Sequence, residues 1–221
     1  MLIKNIGALI IGQSPRPDLV SPLIQRLPDG CRVIQAGAMD GLAATSISPI
    51  TSGTYPLSTR LQDGTAVMVE EAYLAPKLQQ ALDLLESKGA VSTLLLCAGT
   101  FADLHGTRPL FKPFDICCDV LQTLGIKSVG LITPIKEQEL PIRLRWQAAG
   151  FQPTVWTADL TLQDSLFIQQ LQSQIETHRL EGIILDYVGH RASIVNQLQE
   201  ASSIPVIDTG QLAMRILTSA L

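Results

Sequence analysis

The sequence predicts an α/β protein of two similar lobes, each built on a mainly parallel sheet, and three observations carry that prediction. Short, nearly continuous apolar runs alternate with segments of helical period, the pattern of parallel strands joined by crossover helices. The apolar runs end repeatedly in small and polar residues. The two halves also echo one another: GALIIGQSP resembles SVGLITP, and VSTLLLCAGT resembles EGIILDYVGH. A chain of 221 residues is long enough to give each lobe its own core.

The elements follow in order. Residues 6–11 read as a buried first strand, 17–27 as a helix beginning near Arg16-Pro17, and 31–35 as a second strand. Residues 41–60 carry Ser, Thr, Gly and Pro throughout and read as a long loop. Loops of that length are uncommon in compact domains and often functional. A short strand at 66–70 precedes an amphipathic helix at 73–88, which Gly89 stops. Residues 91–96 form a third buried strand, and 110–124 a helix stopped by Gly125. Then come a strand at 128–132, a helix at 136–149, a strand at 154–156 and a helix at 164–178. A strand at 182–185, a helix at 192–201, a strand at 205–208 and a helix at 210–221 complete the chain. The expected lobes are residues 1–108 with 206–221, and residues 109–205.

Composition narrows the function classes. Hydrophobic residues are 46% and charged residues 16%, the balance of a folded soluble enzyme rather than a disordered chain. With a net charge of −4 and scattered basic residues, neither nucleic acid nor an anionic membrane is an expected partner. No apolar run approaches the ~20 residues that span a bilayer. The opening MLIKNIGALIIG is too short for a signal peptide and lacks a small-residue cleavage site, so a cytoplasmic protein is expected. Cys31, Cys97, Cys117 and Cys118 lack the paired spacing of a zinc site, and His105, His178 and His190 show no helical pairing. Free thiols and no protein-built metal centre are therefore expected. The turn at residues 12–16 is not a phosphate-binding glycine loop, since the required glycines and Lys are missing.

In open parallel sheets ligands bind beyond the carboxyl ends of the strands, so four strand ends are the places for chemistry. The first holds Gln13, Ser14 and Arg16, whose hydroxyl, backbone N–H groups and guanidinium suit a carboxylate. The alternative there is a plain strand-to-helix turn with Arg16 in solvent. The second holds Cys97, Gly99 and Thr100. A thiol at a strand end beside a helix N-terminus can become a thiolate, acting as base or nucleophile. The bland reading is a small buried core cysteine. Thr133 marks the third end. The fourth carries Asp186, Tyr187, Gly189 and His190, a carboxylate, a phenol and an imidazole suited to acid–base work unless one only caps a helix. Arg60, in the long loop, is a second candidate anion anchor if that loop closes over the site.

Taken together, IGQSPRPDL, GAMDGL, YPLSTRLQDGT, LLLCAGTF, the Gly-Leu-Ile-Thr-Pro segment with Gln138 and Trp146, and ILDYVGH resemble the AroM family, in the family's order and over nearly the whole chain. The resemblance implies the fold of aspartate/glutamate racemases, hydantoin racemases and maleate isomerases. There, two Rossmann-like lobes with four-stranded sheets meet at an interlobe cleft, and each lobe contributes one cysteine at a strand end. Cys97 falls at the position resembling the first of these, but Tyr187 stands where the second is expected. A two-thiol racemisation cannot be written for such a chain. A tyrosine with a pKa near ~10 is a poor base at neutral pH yet can donate a proton.

The expectation is a cofactor-independent racemase, isomerase or lyase acting on a small carboxylate. Cys97 is then the base or nucleophile, with Tyr187 or His190 as the acid. The alternative is a non-catalytic carboxylate-binding protein that has lost the second thiol. A purely structural module fits poorly with polar groups gathered at four strand ends. A homodimer is left open as an assembly.

Overall fold

The computed structural model describes residues 3–47, 50, 55–157, 165–190 and 192–221. The chain divides into two compact units, Met1–Pro113 with Ala213–Leu221, and Phe114–Leu212.

In the first unit, strand β1 (Lys4–Ile10) leads into helix α1 (Pro17–Ile24), and β2 (Cys31–Gly37) returns parallel to β1. Pro17 opens α1, where a missing N–H costs nothing and the ring presets φ. A short 3-10 turn (Ala44–Ser46) precedes an antiparallel pair, β3 (Pro56–Arg60) and β4 (Ala66–Glu70). Helix α2 (Glu71–Ser87) follows, burying Leu74, Leu78, Ala81, Leu82 and Leu85 on one stripe at helical spacing. It ends at Gly89, whose φ of 82° favours glycine. Strands β5 (Ala90–Leu95) and β6 (Leu110–Phe111) complete a parallel sheet of order β2-β1-β5-β6. β1 is central, so Ile6, Ala8, Leu9 and Ile10 are fully buried.

The second unit opens on α3 (Pro113–Thr123) and β7 (Ser128–Thr133). A 3-10 turn (Lys136–Gln138) runs into α4 (Glu139–Ala148), and β8 (Gln152–Thr157) pairs with β7. Then come α5 (Ser165–His178), β9 (Gly182–Leu185), α6 (Ala192–Ala201), β10 (Val206–Asp208) and α7 (Thr209–Ser219), whose residues from Ala213 belong to the first unit. The sheet order is β8-β7-β9-β10, all parallel. Numbered within each unit, both sheets run 2-1-3-4. The sequence echo therefore pairs topologically equivalent strands, β1 with β7 and β5 with β9.

Three details depart from the sequence reading. The long loop at 41–60 ends in a strand, β3, where Leu57 and Thr59 are buried and Ser58 and Arg60 exposed. With a single large apolar residue in alternation, that strand leaves almost no hydrophobic signal. Residues 48–49 and 51–54 of the same stretch lie outside the described residues. The helix expected from 110 begins at Pro113, because Leu110 and Phe111 pair with Thr93 and Leu94 as the edge strand β6. At the other end, the boundary placed at 205/206 falls just ahead of β10, which hydrogen-bonds to β9.

Candidate functional site

At the exit of β1, Gly12 has no room for a side chain: a Cβ there would strike the Thr59 hydroxyl and the Arg60 carbonyl. The β3–β4 pair thus lies directly on this turn, and the Gln13 N–H donates to the Arg60 carbonyl at 3.2 Å. The buried Gln13 amide works as a brace. Its Nε2 donates to the carbonyls of Met39 (3.0 Å) and Leu42 (2.7 Å), and its Oε1 accepts from the Gln62 N–H at 2.7 Å. Ser14 is engaged by Asp40: the Ser14 N–H donates to Oδ1 at 2.6 Å and its hydroxyl to Oδ2 at 2.7 Å. The Arg16 guanidinium grips Asp18 through two bonds of 2.8 and 2.6 Å. Those bonds hold the Asp18 carboxyl below its ordinary value. Arg60 sits exposed at the end of β3 and donates to the Gly64 carbonyl at 3.4 Å.

Cys97 lies two residues past the end of β5 and is 7% exposed. It belongs to the apolar cluster that includes Leu9, Ile11, Phe101 and Leu104. The Gly99 N–H donates to its sulfur at 3.3 Å. No helix follows it directly, however. The chain from Leu96 to Pro109 is irregular, so the helix-dipole argument made from sequence fails here. Gly99 has a packing reason of its own, since a Cβ would meet the ring of Phe101, which adopts a φ of 40°. Thr100 is half-buried beside it.

In the second unit Thr133 is fully buried, its hydroxyl donating to Gln138 Oε1 at 2.8 Å and accepting from the Ile135 N–H. Asp186, with no exposed side-chain surface, forms an ion pair with Arg145 of α4, itself 8% exposed. Burial pushes the Asp186 carboxyl up to about 6, against the pull of Arg145 and the Trp146 indole. Arg145 also stacks on the Phe114 ring at 4.5 Å, and Trp146 packs edge-on against Phe114 and Phe151. The same surroundings push the Cys117 thiol well above its ordinary range and Cys118 up to about 12, mainly by burial. Next along the chain, Tyr187 lies two residues past the end of β9, the counterpart of Cys97 past β5. Its ring sits 3.6 Å from that of His190, and Gly189 between them takes a φ of 110°.

His190 is 8% exposed, and the Tyr187 backbone is the hydrogen-bonding group beside its ring. Burial lowers its pKa to about 3, so the ring is neutral at physiological pH and cannot supply a proton as imidazolium. A folded pKa depressed below the unfolded value of about 6.5 stabilises the protein above 6.5 and is lost as pH falls. Between those limits stability should therefore rise with pH by up to ~1.4 kcal/mol per unit on this account. Asp186 slopes the opposite way below about 6, because its folded form holds the proton more tightly. That slope is common to the wild type and His190→Gln. Urea unfolding against pH should show a shallower acid limb in the variant, and superimposable profiles would refute the buried-neutral assignment.

The strand ends thus bring together Gln13, Ser14 and Arg16 with Asp40 and Asp18 in one unit, and Asp186, Tyr187, Gly189 and His190 in the other. Thr133 turns inward, and Arg60 stands on its own hairpin. Arg145 is the participant that sequence reasoning missed, whereas Asp40 stands in the long loop as one of its polar residues and its partner Ser14 was not foreseen. A signal for Arg145 exists: it shares the buried stripe of Ile142 and Trp146 on α4, where a cation requires a buried carboxylate. Among the described residues no group of His, Cys, Asp or Glu could hold a metal ion, and no helix is long and apolar enough to cross a membrane. None of the four cysteines is in a disulfide.

A family model described as AroM protein matches residues 6–221. The chain belongs to the AroM family. No curated protein sequence matches this AroM-family chain. Solved structures match it at the level of fold. Allantoin racemase from Klebsiella pneumoniae superposes with a TM-score of 0.65 at 15% identity, over 98% of this chain and 86% of that one. A liganded variant of arylmalonate decarboxylase gives 0.67 at 15% identity, over 98% and 92%. Maleate isomerase from Pseudomonas putida S16 gives 0.64 at 10% identity, over 99% and 92%. At such identities the likeness establishes a racemase-like fold for the AroM-family chain. The activities remain those of the named proteins.

Proposed function

We propose that this chain is a cofactor-independent enzyme of the racemase, isomerase or lyase kind, acting on a small carboxylate with Cys97 as base or nucleophile. The observation that carries the reading is the pair of equivalent positions: a thiol two residues past β5 and a phenol two residues past β9. The Gly99 N–H on the Cys97 sulfur supports a thiolate there. As a base, the thiolate takes the proton α to the carboxylate: the C–H bond breaks, the S–H bond forms, and the electron pair delocalises into the carbonyl. The new S–H exchanges its proton with solvent and returns one to the carbanion, so α-hydrogen exchange is the signature of the step. Gly99, Thr100 and Gly189 offer ligand contacts, whereas Gln13, Thr133 and Asp186 spend their bonds on the fold.

The test is iodoacetamide alkylation against pH, resolved by cysteine with mass spectrometry, alongside α-hydrogen exchange of small carboxylates in heavy water. Cys97 should react with a midpoint below the free value of ~8.5, while buried Cys117 and Cys118 stay inert. A Cys97 as unreactive as Cys117, with no exchange on any carboxylate tried, would remove the enzyme reading. The packing of Cys97 within the apolar cluster favours a second reading, a carboxylate-binding protein without turnover. On that reading Cys97→Ser leaves affinity unchanged.

A further inference from the structure

The turn after β2 places a carboxylate where parallel sheets receive ligands, and that carboxylate is the chain's own. Asp40 accepts from the Ser14 N–H (2.6 Å), the Ser14 hydroxyl (2.7 Å) and the Gly37 N–H (2.8 Å). All three donors lie at the carboxyl ends of β1 and β2. Together they satisfy both oxygens of one planar anion. Gly37 is bare for this reason among others, since a Cβ would crowd the Asp40 carboxylate, the Gly12 carbonyl and the Ser14 nitrogen. The donors are held rigidly: Gln13 pins the turn on either side of Asp40 through the Met39 and Leu42 carbonyls. Asp40 itself is exposed, and Gly41 beside it faces open space. Its side chain can leave by rotation while the backbone donors stay in place.

We propose that the Gly37 N–H, Ser14 N–H and Ser14 hydroxyl form a carboxylate-binding nest that Asp40 fills in the resting protein and yields to a ligand carboxylate. This rests on the small-carboxylate reading above and adds a site to it. The physics is competition. A tethered carboxylate is present at high effective concentration, so it screens out weak monovalent anions and admits ligands that gain further contacts nearby. A dicarboxylate such as malonate should therefore displace Asp40 better than acetate does.

The experiment uses the intact protein with acetate and malonate as probes at constant ionic strength, chloride serving as control. Backbone amide resonances of Ser14 and Gly37 are followed by NMR. In the wild type, malonate should shift both amides and chloride should not. In Asp40→Ala the same shifts should appear at a concentration lower by about tenfold or more, and acetate should restore thermal stability lost with the side chain. Adding Ser14→Ala to Asp40→Ala should abolish that restoration. Should Asp40→Ala fail to fold, Asp40→Asn, which keeps one acceptor and drops the charge, carries the same titration. Wild-type amides that ignore malonate while Asp40→Ala binds it would overturn the proposal, making Asp40 a permanent staple. A variant that binds neither probe would overturn it too. Cys97 reactivity and α-hydrogen exchange report separately on the enzyme reading, so the two ideas can fail independently.

Discussion

Arg145→Ala should lower the unfolding free energy by about 3–5 kcal/mol, the usual consequence of stranding one member of a buried ion pair. Asp186 has no exposed side-chain surface, and its partner is held in turn by the Phe114 ring. Without the guanidinium, the carboxyl must be buried charged or take up a proton. Its pKa, already raised to about 6 by burial, then rises further. A carboxyl with a raised folded pKa holds its proton at low pH, and the stability it confers is lost as pH rises through that pKa. The variant's deficit should therefore be larger at pH 8 than at pH 5.5, a contrast that urea titrations at the two values measure directly. Replacing both partners, Arg145→Met with Asp186→Leu, should cost far less than the single change, because apolar pairs of similar volume often match a buried ion pair. If the double variant is as unstable as the single one, shape rather than charge accounts for the loss.

Cys97→Ala should abolish α-hydrogen exchange while leaving the fold in place. The structural cost is on the order of 1 kcal/mol, the scale of removing one methylene-sized group from a core. The functional cost is the whole of the thiolate chemistry, since Tyr187 cannot replace it as a base at neutral pH. Circular dichroism and urea midpoints check the first part, and exchange in heavy water checks the second. A variant that keeps exchanging transfers the chemistry elsewhere. One that unfolds makes Cys97 a packing residue.

The sheets were legible because buried parallel strands write themselves as apolar runs. The runs around Ala8, Leu94, Leu131 and Ile184 all became strands, and the echo between halves matched the shared strand order. The strands that escaped notice or were shortened are the ones whose pairing owes little to side chains. β3 alternates around one leucine, and β6 has two residues held by a neighbour. At the strand ends, sequence located the polar residues but not their engagements. Nothing local says that Ser14 faces Asp40, 26 residues away, or that Asp186 faces Arg145 across 41. Contacts of that span are products of topology. Arg16 shows the reverse case, since Asp18 stands only two residues on and is its partner.

The chain's return to its starting unit has a consequence for biosynthesis. Ala213 and Leu217 are fully buried in α7, Met214 nearly so, and Lys4 of β1 donates to the carbonyl of Leu221. A ribosome delivers these residues only after all of Phe114–Leu212 has emerged. Until then the first unit has part of its apolar surface uncovered. Chains ending before Ala213 should be more sensitive to protease and more readily bound by chaperones than chains that include Ala213–Leu221, even though both central sheets are already encoded.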